Sequence, residues 1–143
     1  VELKVKRLNP NAKLPVRQHP GDLGFDVFTL DTVCVQAGQT IAISTGVACD
    51  FPEGWGGIIK ARSSQGKAGI DVFGGVVDSG YRGEIVVVLH NTADPQGEGH
   101  VIYKAGDKIA QLVLVPVFPG TVREVGTLSE SSRGAQGFGS TGR

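Results

Sequence analysis

Asp78 stands between two apolar runs in the stretch GGVVDSGYRGEIVVVLH, Gly74 to His90, where a carboxylate and a phenol share one Gly-rich turn. Val76, Val77 and then Ile85 to Leu89 read as two strands too hydrophobic to face water. The turn between them, Asp78-Ser79-Gly80-Tyr81-Arg82-Gly83, would then hold an acid at the edge of a buried hairpin. A carboxylate with few rotamers in a shielded pocket suits a fixed general base. The plainer reading is an Asp that initiates a Gly-rich turn.

Four other clusters carry groups able to bind a ligand. Asp26 in Gly21-Asp22-Leu23-Gly24-Phe25-Asp26-Val27 falls at the start of a strand, where an acid is also routine. Ala61 to Lys67, ARSSQGK, sets the Arg62 guanidinium, the Ser63 and Ser64 hydroxyls and free backbone N–H groups at the start of a short turn or helix. That arrangement receives phosphate well. Gln111 in GDKIAQL is a polar group inside an apolar run and needs a partner. The last segment, ESSRGAQGFGSTGR, packs Arg133, Phe138, Ser140 and Thr141 among glycines. Its literal GxGxxG from Gly137 to Gly142 does not make a dinucleotide site, since no strand leads in and only Arg143 follows.

The elements that must position these groups are short. Glycine is abundant, with 22 residues, and apolar positions alternate or cluster in runs of four to eight. The pattern predicts strands over 2–8, 25–30, 32–36, 39–42, 46–51, 56–61, 70–72, 84–91, 99–103, 108–118 and 121–125. No ten residues show a 3.6 period; Ser63–Ala68 can form one or two helical turns at most. This is an all-β pattern, a sandwich, jelly roll or distorted barrel. Aliphatic strand ends suggest burial on both faces and hence a subunit interface.

The 143 residues predict one domain, 1–129, followed by a Gly-rich arm, 130–143, that closes over a ligand. With 14 basic and 14 acidic side chains the formal charge is +0, so no global field favours nucleic acid or a membrane surface. No apolar run is long enough for a helix to span a bilayer, and no secretory pattern opens the chain. Val1 as first residue and the absence of Met predict a processed or trimmed start. Cys34 and Cys49 have no CxxC spacing and the three His are scattered, which argues against zinc. Two strand cysteines in a reducing cytoplasm fit better than one disulfide.

Taken in order, GFDV, ARSSQG, GGVVDSGYRGE, GDKIAQL and RGAQGFGSTG resemble the five motifs of the homotrimeric all-β dUTP diphosphatase (dUTPase) family, from about Gly21 to Gly142. The resemblance implies a jelly-roll or β-clip barrel with at most one short helix, assembled as a trimer with three clefts shared between subunits. It implies hydrolysis of dUTP with Mg²⁺ to dUMP and pyrophosphate, which supplies dUMP for thymidylate synthesis and keeps uracil out of DNA. An intracellular or virion compartment goes with that role.

By the same resemblance Asp78 activates a water for in-line attack on the α-phosphorus, and Asp26 holds the metal through water. Arg62, Ser63, Ser64, Gln65, Gly66 and Gln111 match the phosphate-binding positions. Gly75, Val76, Val77, Glu84, Ile85 and Val86 match the uracil-reading strands, and Tyr81 the ring that packs on deoxyribose. Phe138 would cover the uracil while Arg133, Gly139, Ser140 and Thr141 surround the γ-phosphate. Lys108 stands where Arg is usual, and Arg-Ser-Ser-Gln-Gly replaces the frequent Arg-Ser-Gly-Leu. The related dCTP deaminase needs a Glu base at the position of Val88, which cannot transfer a proton, so no dCTP deamination is expected. A binding or regulatory trimer without turnover is the other reading; an intact Asp78, Tyr81 and tail weigh against it.

Overall fold

The structure, a computed structural model, describes residues 1–139, 141 and 142. Ten strands and one helix follow in chain order: β1 Lys4–Arg7, β2 Gly24–Phe28, β3 Val33–Val35, β4 Thr40–Asp50, β5 Trp55–Lys60, α1 Ser63–Lys67, β6 Ile70–Val72, β7 Val76–Val77, β8 Glu84–Asn91, β9 Val101–Tyr103 and β10 Lys108–Pro116. They form two four-stranded sheets, β1-β4-β8-β6 and β2-β10-β5-β7, and a two-stranded ribbon, β3-β9. Every pairing is antiparallel. The all-β expectation with one short helix holds.

The core lies where the two sheets face each other. On β8 the alternation is regular: Ile85, Val87, Leu89 and Asn91 point in, while Val86, Val88 and His90 lie on the outer face. Ile43 and Val47 of β4, Ile59 of β5 and Ile109 and Leu112 of β10 join the inward set, none more than 2% exposed. Each such side chain contributes roughly 1.5–3 kcal/mol when taken from water. Cys34 and Cys49 are both free. Burial pushes the Cys49 thiol up to about 11.

Three expectations change. Residues 39–42 and 46–51 read as two strands, but β4 runs continuously from Thr40 to Asp50. A bulge between Ser44 and Ala48 absorbs Gly46, whose φ of +72° breaks the alternation without ending the strand. No strand forms over 121–125: β10 ends at Pro116 and residues 116–139 are exposed, leaving this stretch without a partner strand in its own chain. Finally, β7 and β8 do not form a hairpin. Strand β7 pairs with β5, and β8 with β4 and β6, so the segment 78–83 passes from one sheet to the other.

Candidate active site

That crossing creates a cleft. Ile59, Gly75–Asp78, Tyr81 and Glu84–Val86 line about 210 Å³ between the diverging strands. Gly75 makes the close approach to β5 possible: its φ is +94°, its carbonyl accepts from the Ile59 N–H at 2.7 Å, and a Cβ would lie 2.6 Å from the Ile59 oxygen. Asp78 is exposed in the single chain, as are Val76 at 77% and Val86 at 42%. The shielded hairpin expected for Asp78 is thus replaced by an open cleft between sheets.

The turn after Asp78 is closed by its own groups. The Tyr81 N–H donates to the Asp78 carbonyl at 3.0 Å. The Tyr81 hydroxyl donates to the Glu84 carbonyl at 2.8 Å, and its ring lies over Gly83, where any Cβ would collide with it. Tyr81 is 45% exposed, so one part of the ring stays available to a ligand. The Glu84 carboxylate points away from the cleft, accepting from the Gly46 N–H at 2.8 Å and from the Ser44 hydroxyl at 3.4 Å. It fills the β4 bulge. Ile85 is 2% exposed and belongs to the core, leaving its backbone to face the cleft.

A second cluster centres on Asp26 of β2. Its carboxylate, 15% exposed, lies 3.4 Å from the Arg62 Nε and 3.0 Å from the Lys108 Nζ. The β10 bulge between Lys108 and Ala110 explains Lys108: it pairs Lys108 with Phe28 while Gln111 pairs with Asp26, which brings all three polar side chains to one face. Gln111 donates to the Ala61 carbonyl at 3.0 Å, supplying the partner its apolar strand lacks. Ser63, Ser64 and Gly66 of α1 are exposed beside them.

Gln65 departs from its expected place. It is 6% exposed, its oxygen accepts from the Arg62 N–H at 3.0 Å, and its amide donates to the Tyr103 hydroxyl and the Ile109 carbonyl at 3.1 and 2.7 Å. The side chain faces the core, and only its backbone is left for a phosphate. Lys108, visible in the sequence only as a cation in the fourth motif, joins this cluster through its contact with Asp26.

The two clusters do not meet within one chain. Val77 lies opposite Gly57 of β5 and Gln111 opposite Lys60, two strands apart. Three residues along the strand and two strand spacings put them on the order of 14 Å apart. The tail meets neither. Among the described residues Arg133 donates to the nearby Gln136 carbonyl at 2.8 Å, Phe138 is 112% exposed, nothing lies within 4 Å of a Cβ built on Gly139, and Thr141 is exposed. Ser140 lies outside the described residues.

Asp26 also bears on a metal. Among the described residues no three His, Cys, Asp or Glu side chains group to hold an ion. One carboxylate, 15% exposed, fits Mg²⁺ that keeps most of its waters and takes its remaining ligands from phosphates.

The family model for dUTPase matches residues 10–142. The chain belongs to the dUTPase family. Among its relatives, the deoxyuridine 5'-triphosphate nucleotidohydrolase of Thermobifida fusca (strain YX) is 43% identical over 145 residues, covering 99% of this chain and 79% of that protein. That of Paramecium bursaria Chlorella virus 1 is 43% identical over 141 residues, covering 98% and 97%. The dUTPase fold recurs in solved structures: the Staphylococcus bacteriophage 80alpha dUTPase with dUpNHpp superposes with a TM-score of 0.90 at 30% identity, covering 99% of both chains. A mutant dUTPase from phage phi11 of S. aureus, with a coordinated structural Mg(II) ion, gives 0.82 at 29% identity over 89% of this chain and 98% of that one. No helix among the described residues is long and apolar enough to cross a membrane.

Proposed function

We propose that this chain hydrolyses dUTP to dUMP and pyrophosphate through a water that Asp78 positions and deprotonates for in-line attack on the α-phosphorus. The observation that carries the reading is the cleft itself: the segment bearing Asp78 and Tyr81 lines it together with Gly75–Val77 and Val86. A narrow slot between two strand ends suits a flat pyrimidine, read by backbone groups as a neighbouring strand would read them. Tyr81 packs on the deoxyribose and leaves no space for a 2′-hydroxyl.

The phosphates fall to Arg62, Ser63, Ser64, the backbone at Gln65 and Gly66, and the Gln111 amide, with Lys108 adding charge. In the free chain Arg62 and Lys108 rest on Asp26. Phosphate oxygens compete for both cations and release the carboxylate. Mg²⁺ held there through water would supply positive charge that offsets the triphosphate. Asp78 takes the proton of the attacking water, and pyrophosphate leaves opposite; no covalent enzyme intermediate is required.

The separation of about 14 Å between the backbones at Val77 and Gln111 within one chain fits a homotrimer with sites shared between subunits. Residues 130–143 then form the arm that closes over a site, with Phe138 on the uracil and Arg133, Gly139, Ser140 and Thr141 at the γ-phosphate. Closure excludes water and strengthens the charge contacts. A deaminase reading finds no support, because the Val88 side chain on β8 has no group that can act as the proton-transferring base.

Pyrophosphate release from dUTP, dTTP, dCTP and UTP, each with and without Mg²⁺, tests the reading. Rapid release from dUTP alone, strongly dependent on Mg²⁺, is expected. Equal release from dTTP or UTP would remove the assigned selectivity, and ammonia from dCTP would reinstate the deaminase.

A further inference from the structure

Asp50 and Arg82 belong to neither cluster, yet they bond to the turn that follows Asp78. The Asp78 carboxylate is exposed and makes no ion pair or side-chain hydrogen bond with another described residue. Its position is therefore set by the backbone from Asp78 to Gly83, which crosses between sheets and is not itself part of a strand. Within this crossing, Arg82 Nη1 donates to the Ser79 carbonyl at 2.8 Å and to the Tyr81 carbonyl at 3.2 Å. Arg82 Nη2 lies 2.8 Å from the Asp50 Oδ1.

One planar guanidinium thus joins two carbonyls of the turn to the end of β4. That strand is a firm anchor, the longest in the fold and paired on both sides, with Asp50 opposite Lys4. We infer that the Asp50–Arg82 pair is a positioning device that holds the Asp78 turn in the geometry needed to aim its water. The inference rests on the hydrolytic reading above. A purely stabilising role does not account for the pair: its side chains are 48% and 53% exposed, and ion pairs in such settings contribute little to folding. Lys cannot replace Arg82, since an ammonium lacks the flat fork that serves three acceptors at once.

The experiment compares wild type with Asp50→Ala, Asp50→Glu, Arg82→Lys and Asp78→Asn. It reads kcat and KM for dUTP, the Kd of dUpNHpp, and Tm. Asp50→Ala and Arg82→Lys should each lower kcat about tenfold or more, in line with the steep cost of misplacing a reacting group. KM and the analogue's Kd should change far less than kcat, Tm should stay close to wild type, and Asp50→Glu should recover most of the lost kcat. Salt should lower the wild-type kcat more steeply than that of Asp50→Ala, because the charge contacts to the triphosphate are common to both and only the former has the Asp50–Arg82 pair to screen. Wild-type kcat in Asp50→Ala would overturn the inference. So would a kcat loss matched by equal losses in analogue affinity and Tm, which marks a structural role. An inactive wild type, or an active Asp78→Asn enzyme, would instead remove the hydrolytic reading itself.

Discussion

At Gly75 the backbone adopts φ +94° with the Ile59 carbonyl 2.6 Å from where a Cβ would stand. Gly75→Ala therefore meets both a strained dihedral and a backbone wall that cannot move aside. We expect it to lose about 1–3 kcal/mol of stability, typical of a residue forced into the left-handed region, measured by urea denaturation. The displaced strand should also weaken binding of dUpNHpp, measured by calorimetry. That Asp78 and Tyr81 share one cleft was legible, because an acid and a phenol sit on one glycine turn between apolar runs. The exposure of Asp78 was not legible. It depends on β7 and β8 joining different sheets, and hydrophobic runs do not encode which strand they will pair with. Gln65 shows the same limit, since a glutamine beside two serines reads as a ligand group until the fold turns it inward.

Helix α1 has five residues, too few to be stable alone. Gln65 holds it, capping the Arg62 N–H and reaching across to Tyr103 and to Ile109 in the β10 bulge. Gln65→Leu keeps the volume but leaves those three groups without their partner. We expect a loss of about 1–3 kcal/mol, the cost of a buried polar group left unsatisfied. Because α1 carries Arg62, Ser63 and Ser64, KM for dUTP should rise in the same variant, read in the same pyrophosphate assay. Strand existence was largely legible from alternation and glycine boundaries, and 70–72 and 84–91 match their expected limits. Bulges were not: a glycine inside β4 reads as a strand end, and the displaced Lys108 can only be seen once β2 is beside it.

At the scale of the molecule, the strands end at Pro116 and residues 117–139 are exposed, with Val122 and Leu128 at 101% and 83% exposure. A segment this exposed contributes little to the folding of its own chain. Removal of residues 130–143 should leave Tm nearly unchanged while dUTP turnover falls severely; normal turnover would exclude the arm. Mixed assemblies of this truncated protein with Asp78→Asn should regain part of the activity that each lacks, as shared sites require. The polar, Gly-rich composition of the tail made its lack of a strand partner legible, while any contact it makes with another chain is not written in its own pattern. The account finally depends on Asp78, and single-turnover hydrolysis of dUTP by Asp78→Asn, beside the Kd of dUpNHpp, tests it most directly. Affinity close to wild type with a rate reduced by roughly 10²–10⁴-fold or more is predicted for loss of a general base; a rate within a few-fold of wild type would contradict it.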